Sequence, residues 1–129
     1  MNNLYWFSRD EALAAHNLML ASYGGAEGIR DDTMLESALA KPQQLHQYGT
    51  PNMCEIATAY TAGVVRNHPF VDGNKRTGFM LGVAFLERND WQFSGSEAEA
   101  ATHTLALAAG ELDEAGFAAW LAANSSPAS

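Results

Sequence analysis

The segment from Thr77 to Arg88 places apolar side chains on nearly every face of the helix that its spacing predicts. These apolar residues are Phe79, Met80, Leu81, Val83, Phe85 and Leu86. A helix that is apolar all round is typical of a protein interior, because it has no face to present to water. Gly78 and Gly82 lie one turn apart and would let a neighbouring helix approach closely. The segment therefore predicts a central buried helix that other helices surround.

Two capping boxes predict helices at opposite ends of the chain. Ser8–Glu11 has the sequence S-R-D-E, and Ser96–Glu99 has the sequence S-E-A-E. In such a box the serine side chain accepts a hydrogen bond from the amide three residues on, and the glutamate accepts one from the serine amide. The first of these helices should end near Tyr23, and the other near Ala109, which Gly110 follows.

Aspartates and prolines predict further helix boundaries. Asp31 or Asp32 would cap a short second helix. Pro42 would end that helix, since a proline cannot donate the backbone hydrogen bond that continues it, and residues 43–49 would then form a loop. The Thr-Pro pair at positions 50–51 has the pattern of a cap and a first helical residue, so it predicts the start of a third helix.

The last third of the chain contains one more helix signal and little else. Asp113 would cap a last helix, and residues 124–129 are expected to form a frayed tail. Trp91–Phe93 is the only candidate for a short extended piece, and no alternating strand or repeat occurs elsewhere. We therefore expect one domain, residues 1–129, with an all-α fold: a compact bundle of about six helices around the central buried helix.

The bulk properties of the chain exclude several classes of function. Its net charge of −8 repels polyanions and argues against general binding of nucleic acids. No apolar run approaches the length needed to cross a bilayer, and residues 1–7 lack the cationic start of a signal peptide, so a cytoplasmic location is expected. Cys54, the only cysteine, lies in an apolar helical pattern, which favours a buried thiol over a nucleophile.

The positive charge is concentrated around one short segment. Three of the seven Lys and Arg residues, Arg66, Lys75 and Arg76, fall within eleven positions. Lys75 and Arg76 occupy the first turn of the predicted buried helix, where the partial positive charge of the helix end disfavours cations. A bound anion would remove this cost. Gly73 can adopt backbone angles that place the amides of residues 73–77 in a concave nest for a phosphate.

Asp72 and His68 would complete a reaction site around this nest. Asp72 lies at the rim of the same turn, and magnesium prefers one or two carboxylates together with phosphate oxygens and water. The combination suggests a nucleoside triphosphate with its magnesium ion. A histidine side chain is the usual general base of proteins, so His68 is suited to take a proton from an attacking hydroxyl. Phe70 would anchor the loop to the core.

Each of these residues also has a structural explanation when it is considered alone. A single histidine is usually structural, Asp72 or Asn74 could cap a helix, and the two cations could be solvated charges. The least supported alternative is a zinc site, because the spacing of the histidines follows no metal motif. Those histidines are His16, His46, His68 and His103. The occurrence of all these residue types within nine positions, ahead of a buried helix, favours a functional site.

Residues His68–Arg76 have the sequence H-P-F-V-D-G-N-K-R and resemble the signature of the Fic/Doc family, H-x-F-x-[DN]-[AG]-N-[GK]-R. Residues 24–31 and 35–42 are similar to the amino-terminal half of the Doc toxins of this family. Residues 111–121 agree with the end of their sequence. The resemblance covers nearly the whole chain and implies the Fic/Doc fold.

The resemblance also separates two activities within the family. Fic enzymes commonly transfer AMP to a protein hydroxyl, and they have a glycine where Lys75 stands and a further arginine where Phe79 stands. An aromatic ring lacks the charged fork that holds the far phosphates in AMP transfer. The Lys75 variant resembles Doc, which implies transfer of the γ-phosphate of ATP to a threonine of elongation factor Tu, halting translation. AMP transfer is the alternative activity, and a non-catalytic binding protein of the same fold is a second alternative.

Residue roles follow from the same resemblance. His68 would be the general base, and Asp72 the magnesium ligand. The phosphates would be held by the Gly73 amide, Asn74, Lys75 and Arg76. The two cations would also act in catalysis by neutralising the charge that develops during transfer. Arg66 is a weaker candidate, because an arginine in a last helical turn also complements its own helix dipole. Arg30 and Asp31 are expected to form a structural pair.

The chain has no match to the inhibitory helix of many Fic proteins, [ST]-x-x-x-E-[GN]. By resemblance, inhibition would come from a separate antitoxin of the Phd type, whose disordered segment folds into a groove on the helical surface. An acidic chain would suit a basic antitoxin segment. We expect no direct nucleic-acid partner and no membrane partner.

Overall fold

The computed structural model describes residues 3–128. Met1, Asn2 and Ser129 lie outside the described residues. Met1 and Asn2 belong to residues 1–7, which are expected to be no signal peptide, and Ser129 belongs to the expected tail. Six helices are described: α1 (Arg9–Tyr23), α2 (Asp32–Tyr48), α3 (Met53–Asn67), α4 (Asn74–Arg88), α5 (Glu97–Ala109) and α6 (Glu114–Ala123). Two short strands, β1 (Trp91–Phe93) and β2 (Ser125–Pro127), complete the fold. The predicted all-α bundle of about six helices is confirmed.

The core lies between α3 and α4. Eleven of the fifteen residues of α3 are buried. The centre of the fold is therefore formed by α3 together with α4, the helix that the sequence predicts to be central. On α4 the side chains of Leu81, Phe85 and Leu86 are at most 1% exposed. Its other apolar face, which includes Phe79 and Val83, is only half-buried. That face lines an open groove, which is why the helix is apolar all round without being enclosed.

Two glycines let α3 and α4 approach each other closely, as the sequence predicts. A Cβ atom added at Gly78 would lie 3.1 Å from the Thr61 carbonyl oxygen, and one at Gly82 would lie 3.0 Å from the Ala57 carbonyl oxygen. The Thr61 hydroxyl donates to the Gly78 carbonyl oxygen at 2.9 Å. The two backbones therefore meet with no space for side chains between them.

Gly82→Ala is expected to lower the free energy of unfolding by about 1–3 kcal/mol, although alanine favours a helix more than glycine does. The added methyl group would lie 2.4 Å from the Thr61 hydroxyl oxygen and 3.0 Å from a backbone oxygen, so α3 and α4 must move apart. Urea unfolding of the two proteins measures the change. A variant at least as stable as the parent would show that the two helices have room to spare.

The predicted end of α2 is wrong. Pro42 lies inside this helix, which continues to Tyr48 through the segment predicted as a loop. Pro42 belongs to a buried stripe with Leu35, Ala38 and Leu39 that faces the core. Burial of this stripe compensates for the hydrogen bond that a proline cannot donate, because tertiary packing outweighs helix propensity.

The predicted start of α3 is displaced by two residues. Asn52, not the Thr-Pro pair, caps α3, and it forms a capping box with Glu55 through two hydrogen bonds of 2.8 Å. A box satisfies two amides, whereas a threonine cap satisfies one. The other predicted caps, Ser8, Ser96 and Asp113, are confirmed, as is the end of α5 at Ala109. The predicted capping box at Ser96 is only half formed, because the Glu99 carboxylate accepts from Trp120 Nε1 at 3.2 Å and not from the Ser96 amide.

The expected frayed tail is also wrong over its described part. Ser125–Pro127 pairs antiparallel with Trp91–Phe93, with Trp91 opposite Pro127. The backbone N–H of Ala128 donates to the Asp90 carbonyl oxygen at 2.7 Å. These long-range bonds hold a segment whose own composition favours disorder. Among residues 3–128, no helix combines the length and the apolar character required to span a membrane.

Candidate active site

The signature loop, residues 68–73, connects α3 to α4 through two left-handed residues. His68 ends α3 with φ 50° and ψ 55°, and its N–H donates to the Val64 carbonyl oxygen at 3.1 Å. Gly73 begins α4 with φ 77°. Between them Phe70 is fully buried and stacks on the ring of His16, with 3.8 Å between the ring centroids. This aromatic pair anchors the loop to α1.

The amino terminus of α4 differs from that of every other described helix. The other five have a capping side chain, from Ser8, Asp31, Asn52, Ser96 or Asp113. Gly73 provides none, so the alternative caps Asp72 and Asn74 are wrong. The N–H groups of Asn74, Lys75 and Arg76 have no hydrogen-bond partner within residues 3–128. Three free amides at a helix start are the donors that an anion site requires.

The two cations of this turn have no acidic partner within 4 Å among the described residues. The Arg76 guanidinium lies over the Tyr23 ring, 4.4 Å from its centroid, and Lys75 is exposed. Arg66, by contrast, points away and pairs with Glu114 at 3.0 Å. The positive charge at the start of α4 is therefore supplied by Lys75 and Arg76, without the neighbouring arginine.

The Asp72 side chain is fixed beside the free amides. One carboxylate oxygen accepts from the Gly73 N–H at 2.8 Å, and the other accepts from the Ala26 N–H at 3.1 Å. The hydrogen bonds from the Ala26 and Gly73 amides, and then the charge of Arg76, lower the pKa of Asp72. An ionised, oriented carboxylate with free lone pairs fits one position of a magnesium shell. No group of three His, Cys, Asp or Glu residues that could hold a metal occurs in residues 3–128, so phosphate oxygens and water would complete the shell.

Asp72 is expected to make part of the folding stability depend on pH. Its pKa is lower in the folded protein than in the unfolded chain, where aspartate has a value of about 3.9. The stabilisation is therefore fully present above that value and is lost as the pH falls through the folded pKa. Unfolding of the parent and of Asp72→Asn from about pH 6 to about pH 2 should give a difference that shrinks with acidity. A difference independent of pH would contradict the assignment.

The His68 ring contacts the amide of Asn74. The Phe70 N–H donates to Asn74 Oδ1 at 3.0 Å, so the amide nitrogen is the atom that faces His68 Nδ1, at 3.3 Å. Asn74 Nδ2 also donates to the Phe70 carbonyl oxygen at 2.9 Å. Asn74 Nδ2 therefore donates to His68 Nδ1 in the tautomer of the neutral ring that carries its proton on Nε2. Asn74, which is 6% exposed, uses its side chain to hold the loop together.

A groove of about 790 Å³ opens above these groups. One end is lined by all six residues that the sequence predicts for the site: His68, Asp72, Gly73, Asn74, Lys75 and Arg76. The groove continues between α4 and α5, past Phe79, Val83 and Leu105. The Phe79 ring packs against Phe93, with 5.6 Å between the centroids. The volume suits a ligand of nucleotide size, with polar groups at one end and apolar walls at the other.

Sequence reasoning missed the residues that reach the signature loop from α1 and from the α1–α2 loop. His16 Nε2 contacts the Asp72 carbonyl oxygen at 2.7 Å, and the Ala26 amide binds the Asp72 carboxylate. Arg30 binds the carbonyl oxygens of residues 67 and 68. The expected pair of Arg30 with Asp31 does not form, because Asp31 caps α2. The only signal for this region was the resemblance of residues 24–31 to Doc toxins.

Sequence comparison with known proteins identifies one family, whose all-α fold is consistent with the six helices described above. The model of the Fic/DOC family matches residues 6–86, and the chain belongs to this family. It is 32% identical over 106 residues, 81% of this chain and 83% of the relative, to "Protein kinase doc" of Escherichia phage P1. It is 33% identical over 126 residues, 88% of this chain and 94% of the relative, to "Toxin Doc" of Mycolicibacterium smegmatis. The resemblance predicted from the signature is confirmed.

Proposed function

We propose that this protein is a toxin of the Doc type, acting in the cytoplasm, that transfers the γ-phosphate of ATP to a threonine hydroxyl of elongation factor Tu. The observation that carries the proposal is the start of α4, where three free amides and two unpaired cations adjoin His68 and Asp72. A relative named as a protein kinase and one named as a toxin support it.

Phosphate binding would use the features that make the start of α4 unfavourable on its own. The amides of residues 74–76 donate to phosphate oxygens, and Lys75 and Arg76 neutralise charge on them. Asn74 contributes its backbone amide, since its side chain holds the loop. Asp72 would bind magnesium, which when present supplies positive charge to the phosphates. In phosphoryl transfer the protein mainly positions groups and neutralises charge, so these residues meet the demand.

His68 would accept the proton of the threonine hydroxyl. The hydroxyl oxygen forms a bond to the γ-phosphorus, the bond from that phosphorus to the bridging oxygen breaks, and ADP leaves with the electron pair. The proton passes to the lone pair of Nδ1, which faces the Asn74 amide in the structure, so the contact with Asn74 must open first.

The same groups could transfer AMP, but one position argues against it. Phe79 carries no charge and packs against Phe93 and Trp120, so it cannot hold the outer phosphates of ATP. Incubation with elongation factor Tu and ATP labelled at either the α or the γ phosphate distinguishes the two reactions. We expect label from the γ position alone on the protein, and label from the α position alone would overturn the kinase proposal.

The partner that restrains the toxin would be an antitoxin of the Phd type. The groove between α4 and α5 reaches the site, and its apolar walls include Leu105, which is 54% exposed. A disordered segment that folds into this groove would cover His68. Growth arrest on expression, relieved by an adjacent antitoxin gene, is the expected result. Arrest that such an antitoxin leaves unchanged would refute this pairing.

A further inference from the structure

Arg30, in the loop between α1 and α2, caps the carboxyl end of α3. Its Nε donates to the His68 carbonyl oxygen at 2.6 Å, and its Nη2 donates to the Asn67 carbonyl oxygen at 2.8 Å. Carbonyl groups at the end of a helix have no partner within it, and a cation there complements the helix dipole. One planar guanidinium thus satisfies two successive carbonyl groups.

These two carbonyl groups lie on either side of the rotatable bonds of His68. The Asn67 carbonyl precedes φ of His68, and the His68 carbonyl follows its ψ, so the guanidinium constrains both angles. His68 has φ 50°, and Asp90 is the only other non-glycine residue with positive φ among residues 3–128. A left-handed backbone is unfavourable for a residue with a side chain, so it needs support from its surroundings. Arg30 supplies that support.

We propose that Arg30 is a positioning residue for His68. Its guanidinium holds the histidine backbone in the left-handed conformation that directs the imidazole towards Asn74 and the groove. The inference rests on the proposed function in so far as His68 is the base. The loop itself stays attached without this side chain, because the backbone N–H groups of Arg30 and Asp31 donate to the Pro69 carbonyl oxygen at 2.7 and 3.1 Å.

Arg30→Met removes the guanidinium and keeps an unbranched, flexible stem. A displacement of a catalytic group by about 1 Å costs roughly a hundredfold in rate, so kcat for transfer of the γ-phosphate should fall by about ten- to a hundredfold. The Kd for ATP should stay within about twofold of the parent value, because Arg30 lies outside the nest. Arg30→Lys keeps the charge but loses the fork, and should recover only part of the rate.

Arg9→Met is the matched control, since Arg9 is an exposed arginine whose partner is Asp32 on α2, away from the groove. It should leave kcat unchanged. The ring nitrogen chemical shifts of His68 provide a second measurement that needs no phosphoryl transfer. They should change in Arg30→Met and not in Arg9→Met.

The inference is overturned if Arg30→Met leaves both kcat and the His68 shifts as in the parent. It is equally overturned if the affinity for ATP falls as much as kcat, which would place Arg30 in nucleotide binding. If the parent protein transfers no phosphate, the proposed function fails, and the His68 shifts alone decide whether Arg30 sets the position of that ring.

Discussion

His68→Asn is expected to slow phosphoryl transfer about a thousandfold and to leave the binding of ATP within about twofold of the parent. Asparagine tolerates the left-handed backbone that His68 adopts, so the loop should keep its shape while the base is lost. Single-turnover transfer of the labelled γ-phosphate gives the rate, and calorimetry gives the Kd for ATP with magnesium.

His103→Asn serves as the control for this prediction. His103 stacks on Trp120 and does not line the groove, so its replacement should leave the transfer rate unchanged. A His68→Asn protein as active and as toxic as the parent would contradict the assignment of the base. Equal toxicity of the two proteins without phosphoryl transfer by either would favour the alternative of a binding protein that keeps the fold and has no catalytic role.

The double variant Lys75→Gln/Arg76→Gln is expected to weaken the binding of ATP at least about a hundredfold, since a hydrogen bond to a charged group contributes about 1.5–3 kcal/mol. Its unliganded form should be no less stable than the parent. Each cation at the start of a helix opposes the dipole by about 0.3–1 kcal/mol, which compensates for the lost contact of Arg76 with Tyr23. Calorimetry and thermal unfolding without nucleotide measure the two effects.

The control Lys41→Gln/Arg66→Gln removes the same number of positive charges, two, from other positions of a chain of net charge −8. Both side chains pair with Glu114 and neither lines the groove. This variant should bind ATP as the parent does and should lose a little stability, because exposed ion pairs contribute at most about 1 kcal/mol. Equal loss of ATP affinity in the two double variants would mean that overall charge, not the start of α4, attracts the nucleotide.

The helices could be predicted from the sequence where the signals are local. Ser8, Ser96 and Asp113 cap helices by contacts within three residues, and those starts are confirmed. Pro42 misled the prediction because the free energy that keeps it helical comes from burial against the core, which no local pattern contains. Ser125–Pro127 misled it for the same reason, since its partner strand lies more than thirty residues earlier.

The candidate site also contains residues that local sequence signals predict and residues that they do not. The residues from His68 to Arg76 are contiguous, so the signature loop could be recognised as a unit, and the structure brings all of them except Pro69 and Phe70 to the groove. His16 and Arg30 could not be assigned, because each contacts the loop from a different part of the chain. Their partners are backbone carbonyl oxygens of the loop, whose directions become visible only with the backbone in place.

The most direct test of the account is to titrate the protein with ATP and magnesium while the backbone amide resonances are followed by NMR. We predict that the largest shifts fall on the amides of Asn74, Lys75 and Arg76, which are free in the structure, and that they saturate with one nucleotide bound. If ATP with magnesium does not bind, even in the presence of elongation factor Tu, the account is contradicted. Binding that leaves these three amides unchanged would contradict it equally.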